Sequence, residues 1–426
     1  MRLRELDGRR VLVWGIGREG SAALRLLEDP TRCRPASVVS FDDGPREVVV
    51  EGRRPQVDLS AIDVVIKSPG VSRYRRELAA FEQMGGVITG ITALVLAERH
   101  GQRTVGVTGT KGKSTTASLT AHLLRSAGVP VELAGNIGRP AAEIIDETDR
   151  WVVLECSSYQ CADVTVPPQV GIFTSIYEEH LDWHGSFDRY VGDKLRLFGS
   201  SPMTSCDVVY VNGEQTALRG LAQGVPNARF VVDVDELVPL DGLRLQGVVN
   251  RRNANLAVHA AAHVLGEVHR SFEHALGSFE PLAHRLHTLG WFGGLMVVDD
   301  VLATAPEAVL AALDVFADQP VTLLVGGYDR ALDYRYFGAA LATRSSVRVI
   351  AMGAAGRRIA DEIETAGASR PLTVETLHEA LDAVDPAGRG VLLLSPGATS
   401  YGEFADYRAR SAAFREVLIH RGMTPA

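Results

Sequence analysis

Gly109-Thr110-Lys111-Gly112-Lys113-Ser114-Thr115 stands between an apolar β-branched run, TVGVT, and a helix-like stretch, TASLTAHLLRSAG. In that setting a glycine-lysine-serine turn is a phosphate cradle. Backbone amides and the free N–H groups of the helix start face the anion, Lys113 reaches the β and γ phosphates, and Ser114 or Thr115 offers a hydroxyl oxygen to Mg2+. The usual opening glycine is absent, since Val107 stands five positions before Gly112. A Gly-Lys-Ser triplet arises often by chance, and the coincidence of strand, loop and helix is what makes this one chemical.

A second glycine loop lies near the N-terminus. Gly15-Ile16-Gly17-Arg18-Glu19-Gly20 follows the run VLVW and opens the helical pattern SAALRLLED, with Asp42 at the end of SVVSFDD and Ser68-Pro69-Gly70 at the end of DVVIKSPG. Such a loop presents helix N–H groups to a diphosphate, and a carboxylate placed like Asp42 grips a ribose hydroxyl. Backbone amides read phosphate rather than base, so the loop serves a nicotinamide dinucleotide or another nucleoside diphosphate such as a UDP-sugar; a turn required only for helix-sheet packing is the bland alternative.

Glu155 ends the strand-like WVVLE, and His180 follows VGIFTSI, which places both near the carboxyl edge of a parallel sheet, where ligands collect. Each alone reads as an ion-paired strand end or a capping histidine. Lys194, in the helical run YVGDKLRLF, reads alone as a solvated lysine. His184 and His287 carry no spacing that indicates metal ligation.

The elements that must position these groups fall into three α/β segments. The first contains RVLVWGIGREG, SVVSFDD and DVVIKSPG and fades at ITALVLAERHGQ; the second runs from TVGVTGT through WVVLECSS, VGIFTSI and CDVVYVN to NLAVHAAAHVL; the third strings together LMVVDD, PVTLLVGG, VRVIAMG and GVLLLSPG. A chain of 426 residues suits about three domains at roughly 150 residues each. The expected boundaries are 1–102, 103–286 and 287–426. Hydrophobic content of 46%, charged content of 23% and a net charge of −8 describe a globular protein with no basic tract for nucleic acid. Cys33, Cys156, Cys161 and Cys206 lack paired ligand spacing, the N-terminus has no apolar signal core, and no run reaches the roughly 20 apolar residues of a membrane helix, so a cytoplasmic protein with reduced thiols is expected.

The form of the Gly109–Thr115 loop resembles that of the Mur ligases of peptidoglycan synthesis, ATP-dependent enzymes that couple an amino acid to a UDP-muramoyl substrate. Further motifs follow in that family's order: GNIGRP at 135–140, LECSSYQ at 154–160, EEHLDWHGSFDRYVGDKLRLF at 178–198, NRRNANLAV at 250–258 and HRL at 284–286. The resemblance implies a Rossmann-like N-terminal domain for UDP, a central P-loop ATPase domain with a mostly parallel sheet, and a Rossmann-like C-terminal domain for the amino acid. Ser157-Ser158-Tyr159-Gln160 is similar to the signature of the glutamate-adding members. It implies UDP-N-acetylmuramoyl-L-alanine, glutamate and ATP as substrates. Gly15, Gly17, Arg18, Glu19, Gly20, Asp42, Ser68, Gly70, Asn136, Ser157, Ser158 and Gln160 then face the acceptor, and residues Gly109 to Thr115 with Asn253, Arg285 and Asp300 face ATP. By the same resemblance Lys113, Glu155, His180 and Lys194 are catalytic, Mg2+ is held by Ser114, Glu155 and His180, and Lys194 matches a lysine that the family carbamylates with CO2 into a further metal-orienting anion.

Amino-acid binding implicates Thr304, Arg330, Ser400 and Tyr407, in a region that departs from the family pattern. Asp300-Val301-Leu302-Ala303-Thr304 replaces Asp-Ser-Lys-Ala-Thr, Gly326-Gly327-Tyr328-Asp329-Arg330 carries a guanidinium where an ammonium is usual, and Ser395-Pro396-Gly397-Ala398-Thr399-Ser400 is altered. The WGxGREG opening and the GTKGKST loop resemble the branch that adds L-glutamate and relies on a separate epimerase; addition of D-glutamate is the alternative. A monomer without nucleic-acid or membrane partners is expected. A nicotinamide dehydrogenase, the more distant reading, leaves the ATP loop and the Lys194 region idle, and a plain P-loop kinase has no use for a third domain.

Overall fold

The computed structural model describes residues 1–42, 58–199, 204–243, 245, 247–280, 284–304, 306–329, 332–400 and 402–425. Strands β1 (Arg10–Trp14), β2 (Ser37–Phe41), β3 (Val64–Lys67) and β4 (Val87–Thr89) form a parallel sheet in the order β2-β1-β3-β4, with helices α1 (Arg18–Leu27), α2 (Arg76–Gln83) and α3 (Ile91–Glu98) in the connections.

The second sheet is parallel at every described pairing and runs β10-β9-β8-β5-β7-β6. Its strands are β5 (Thr104–Thr108), β6 (Val131–Gly135), β7 (Trp151–Glu155), β8 (Val170–Phe173), β9 (Val208–Asn212) and β10 (Ala228–Val231). Its helices are α4 (Lys113–Ser126), α5 (Ser158–Cys161), α6 (Leu181–His184), α7 (Phe187–Leu195), α8 (Thr216–Ala222), α9 (Val248–Leu265) and α10 (Phe272–Ser278). Every residue of β5 is buried, as a central strand covered by helices on both faces requires. β5 lies between β7 and β8, where the chain crosses from one half of the sheet to the other, and such a switch point opens a crevice at the carboxyl ends of the strands.

The third sheet has the order β15-β14-β13-β16-β12-β11-β17. It comprises β11 (His287–Phe292), β12 (Leu295–Asp299), β13 (Val321–Gly326), β14 (Val347–Met352), β15 (Leu372–Val374), β16 (Gly390–Leu394) and β17 (Thr424–Pro425). Strand β11 is antiparallel to both β12 and β17, while the other pairings are parallel. Helices α11 (Pro306–Val315), α12 (Arg335–Ala342), α13 (Gly353–Thr365), α14 (Leu377–Asp382) and α15 (Tyr407–His420) cover it. Alternate residues of one strand feed two cores: Leu323 and Val325 pack on one face, Leu324 on the other.

The first two sheets belong to one compact unit, Met1–Arg244 with Val249–Phe279, and the third sheet to another, Leu245–Val248 with Glu280–Ala426. Within the first unit Val11, Val13 and Ile66 of the first sheet share one hydrophobic core with Leu94 and Leu96 of α3 and with Val152, Leu154 and Val209 of the second sheet. Among the described residues no helix is long and apolar enough to cross a membrane. All four cysteines are free and buried.

The N-terminal loop turns directly into α1, whose buried face includes Gly20, Ala22, Ala23, Leu26 and Leu27. Gly20 is required by close approach: a Cβ there collides with the carbonyl oxygen of Gly15 and crowds Ser68. Gly17 caps the same helix at φ −69°, and a Cβ there meets nothing within 4 Å. Gly20→Ala is therefore expected to destabilise the first unit by about 1–3 kcal/mol or more, and Gly17→Ala, which meets no atom and loses only a glycine N-cap, by less, on the order of 0.5–1 kcal/mol. Denaturant unfolding of both variants checks the contrast; equal midpoints would overturn it.

Candidate active site

The phosphate loop is built as its sequence demands. β5 ends at Thr108, and Gly112 caps α4 at φ +85°, a conformation that favours glycine; a Cβ there also collides with the side-chain amide of Asn253 on α9. The loop is braced from the end of β8. Thr110 N donates to Ser175 O at 2.7 Å, Lys111 N to Ser175 Oγ at 2.8 Å, and Thr174 Oγ1 to Lys111 O at 2.6 Å. Lys113 Nζ donates to Thr110 O at 2.9 Å, so the ammonium lies folded across the loop that it serves. Ser114 and Thr115, in the first turn of α4, are buried.

Glu155 ends β7 on the same edge and is 1% exposed. Asn136, just beyond β6, holds it twice: Asn136 Nδ2 donates to Glu155 Oε1 at 2.9 Å and Asn136 N to the Glu155 carbonyl at 2.9 Å. Glu155 Oε2 is buried with no hydrogen-bond donor. A buried anionic oxygen without a partner is costly and calls for a cation. Among the described residues no three His, Cys, Asp or Glu side chains group closely enough to hold a metal by themselves. One carboxylate plus a hydroxyl, completed by nucleotide phosphates, is nonetheless a donor set of hard oxygens of the kind Mg2+ uses, and Glu155 with Ser114 fits it.

Lys194 lies on α7 and is 1% exposed, not solvated. Its Nζ donates to Gly109 O at 2.6 Å. Burial, and after it the positive charge of Lys113, pushes the amine down to about 7. A large neutral fraction near pH 7 is what reaction with CO2 needs, so the residue fits carbamylation. His180 caps α6 in the left-handed region at φ +57°, and its side chain is 47% exposed. Desolvation first, and the nearby Lys194 and Lys113, hold its pKa below the usual histidine value.

The N-terminal cradle sits in the same unit. Ser68 Oγ donates to Gly15 O at 2.6 Å, Ile16 N donates to Asp42 Oδ2 at 2.6 Å, Gly17 caps α1, and Gly70 lies in an exposed turn. The guanidinium of Arg18 donates to Gly138 O at 2.5 Å, which links this loop to the segment after β6. Ser157 and Gln160 form a capping box at α5, and the Gln160 amide nitrogen donates to Glu19 Oε1. Glu19 is pushed above the usual carboxylate range by burial, which the bond from Gln160 opposes. Ser158 is buried and bonded to His184.

In the second unit, Arg285 stands between His284 and Leu286, both left-handed, at φ +68° and +46°. The two acids at the end of β12 hold that kink: Asp299 Oδ2 meets His284 Nδ1 at 2.8 Å, and Asp300 Oδ1 accepts from Leu286 N at 3.2 Å. Arg285 Nε is buried without a partner. Asp300 also accepts from Ser395 Oγ at 2.7 Å; burial raises its pKa to about 7, against the lowering pull of Ser395 and Arg285. Thr304 N donates to Leu302 O at 3.0 Å, Ser400 is buried, and Tyr407 begins α15 with its ring edge-on to His284 at 5.6 Å. Arg330 lies outside the described residues.

Sequence reasoning did not find the bracing role of Asn136, the Lys111–Glu179 ion pair at 2.5 Å, or the buried bond of His184 to Asp193. Glu178-Glu179 in the motif was the one visible signal for the ion pair.

Residues 107–235 match the Mur ligase middle domain. The chain is 36% identical over 466 residues to a UDP-N-acetylmuramoyl-L-alanine--L-glutamate ligase of Xanthomonas campestris pv. campestris, covering 100% of this chain and 98% of the relative. It is 37% identical to the protein of that name from a Micromonospora species, covering 100% of both. Among solved structures it is similar to UDP-N-acetylmuramate-alanine ligase from Thermotoga maritima (TM-score 0.59, 20% identity, 96% of this chain and 98% of that one). It is also similar to MurF ligase from Thermotoga maritima in complex with ADP (TM-score 0.60, 17% identity, 98% and 97%).

The raised pKa of Asp300 has a definite sign for stability. The unfolded carboxyl ionises near 3.8 and the folded one near 7, so as pH rises through that window the unfolded chain releases its proton first and the fold loses stability. The penalty is absent below about pH 4, grows to on the order of 4 kcal/mol by about pH 7, and is constant above. Asp300→Asn removes it. The melting temperature of the variant is expected to gain on the wild type between about pH 5 and pH 8, and a constant difference across that range would contradict the assignment.

Proposed function

The chain belongs to the Mur ligase family, and from that premise we propose that it joins L-glutamate to the alanyl carboxylate of UDP-N-acetylmuramoyl-L-alanine. It is an ATP-dependent amide-bond ligase of peptidoglycan synthesis, forming ADP and phosphate. What carries the L-glutamate reading is likeness over the whole chain to ligases named for that amino acid. Addition of D-glutamate is the competing outcome.

A carboxylate is a poor electrophile and must be activated before an amine can displace its oxygen. The acceptor carboxylate attacks the γ-phosphate of ATP, ADP departs, and the acyl phosphate is attacked by the neutral amine of glutamate; the tetrahedral adduct expels phosphate. Two anions meet in the first step, so concentrated positive charge at the loop is the main requirement. In this proposal Lys113 swings from Thr110 O onto the β and γ phosphates, and the N-terminus of α4 with Gly109 to Gly112 cradles them. Ser114, Glu155 and His180 would hold Mg2+, which supplies further charge neutralisation between the reacting anions. Lys194, if carbamylated, exchanges a cation beside Lys113 for an anion that orients the metal side of the site.

Asn253, Arg285 and Asp300 serve the adenine nucleotide in this scheme. Gly15, Gly17, Gly20, Asp42, Ser68 and Gly70 hold the UDP handle, and Asn136, Ser157, Ser158 and Gln160 shape the muramoyl end, the last three through α5. Thr304, Arg330, Ser400 and Tyr407 receive glutamate. The division is 1–102, 103–286 and 287–426. A cytoplasmic monomer followed by an epimerase acting on its product completes the proposal.

Phosphate release with UDP-N-acetylmuramoyl-L-alanine, ATP and Mg2+ tests it, with L- and D-glutamate offered in parallel. L-Glutamate is expected to be used at least about tenfold better; preference for D-glutamate would overturn the stereochemical reading, and phosphate release indifferent to either would overturn the ligase site. Lys113→Ala is expected to lower turnover about 100- to 1,000-fold. Lys194→Ala should regain part of its activity with formate or acetate, and no recovery at saturating Mg2+ would count against a carbamate.

A further inference from the structure

His184 bonds to two side chains that neighbour assigned groups in the sequence, and to the backbone of a third. It is fully buried, with its Nδ1 2.6 Å from Asp193 Oδ2 and its Nε2 2.9 Å from Ser158 Oγ. A ring protonated at Nδ1 alone donates to Asp193 and accepts at Nε2 from the Ser158 hydroxyl. Asp193 takes a further bond from Tyr74 OH at 2.6 Å. Along the backbone, His184 N donates to His180 O at 3.1 Å.

Each arm of this network ends beside a different group. Ser158 is three residues past Glu155, Asp193 immediately precedes Lys194, and the backbone bond reaches His180. The fourth arm, Tyr74, belongs to the turn after Gly70, where Trp183 Nε1 donates to Pro69 O at 3.0 Å and Ser72 Oγ to Trp183 O at 2.8 Å. His180 is left-handed; its imidazole packs against the Tyr159 ring at 4.9 Å and lies 3.8 Å from Glu179 Oε2. A non-glycine residue in that conformation persists only when its surroundings over-determine it. The anchored ring of His184, at the other end of the single turn α6, supplies that constraint.

We infer that His184, through Asp193 and Ser158, is the positioning residue that holds Glu155, His180 and Lys194 in register for a divalent cation. The inference rests on the proposed roles of those three residues. It assigns His184 no contact with substrate; the ring acts through its neighbours, as outer partners of metal-site ligands do. The Tyr74 arm extends the same register to the turn that carries Ser68 and Gly70.

The test is a titration of the full chain with Mn2+ in the presence of ADP, followed by electron paramagnetic resonance, with thermal unfolding in parallel. It needs neither acceptor nor glutamate, so its outcome is independent of which amino acid is added. His184→Leu and Asp193→Asn are expected to weaken Mn2+ binding about 10- to 100-fold. His184→Asn, whose amide can replace Nδ1 toward Asp193, is expected to recover most of that loss. A role confined to stability lowers the melting temperature and leaves Mn2+ affinity of the folded protein at the wild-type value, and that result overturns the inference. Should His184→Leu fail to fold, Asp193→Asn exchanges the charge-assisted bond for a weaker neutral one with little change of volume and decides the matter alone.

Discussion

At the end of β7 a carboxylate is buried with one oxygen partnered and the other not. Desolvating a charge is tolerable only when something of opposite sign is close, so this edge of the sheet is electrostatically unfinished without its ligands. Nearby features share that character. Lys194 is a buried amine pushed down to about 7 by desolvation and by Lys113, and it has a backbone carbonyl, not a carboxylate, as its hydrogen-bond acceptor. Lys113 spends its donor on the loop carbonyl of Thr110. In the proposed reaction each of these compromises would be relieved by the arrival of polyphosphate and a divalent cation, directing binding energy to the place where charge develops.

In the proposed reaction, rigid registration of the N-terminal loop against the phosphate loop is the second requirement, because two large substrates would have to meet atom to atom. The first unit achieves it through polar links laid across a continuous core. Arg18 reaches Gly138, Glu19 takes the Gln160 amide, and Lys67 pairs with Asp163 at 2.7 Å where both are buried. Arg73 adds a bond to the same carboxylate at 3.1 Å. Buried ion pairs of this kind contribute little net stability, yet breaking one strands a charge. Their value here is geometric: the ends of β1 and β3 are fixed relative to α5, which follows Glu155 directly.

The parts of this arrangement that were legible in the sequence are those encoded locally. Strand, glycine loop and helix follow one another within a dozen residues at both cradles, and the apolar runs of β1, β3, β5, β7, β8, β12, β13 and β16 are near-continuous because helices cover them on both faces. Short or edge strands left no comparable mark: β4 has three residues and β17 two, too few to show a period, and β6 lies at the edge of its sheet. Side-chain partnerships were opaque for another reason. Asn136 and Glu155 are 19 residues apart and meet only because β6 pairs with β7, with Gly135 opposite Glu155. His184 and Asp193 sit on separate helices, and no spacing rule joins them. Likeness to a family supplied the roles that spacing could not.

The second unit bears on the proposed use of L-glutamate. Where the resembling ligases carry a lysine after the first acid, this chain has Leu302, which is tied by backbone bonds to His284 and Thr304 and flanked by Val301 and Ala303, both packed in the core. An ammonium cannot be restored there by a small shift, because the flanking side chains fix which way the segment faces. Nor does Arg410 substitute for it: its buried guanidinium, lowered by desolvation to about 10, donates to Thr399 O at 2.7 Å and stiffens the segment leading to Ser400. Were glutamate to bind here as proposed, its carboxylates would be met by donors placed differently from the lysine of the ordinary pattern. Moving the carboxylate anchors while keeping the nucleophile in place is what the proposed use of L-glutamate would require.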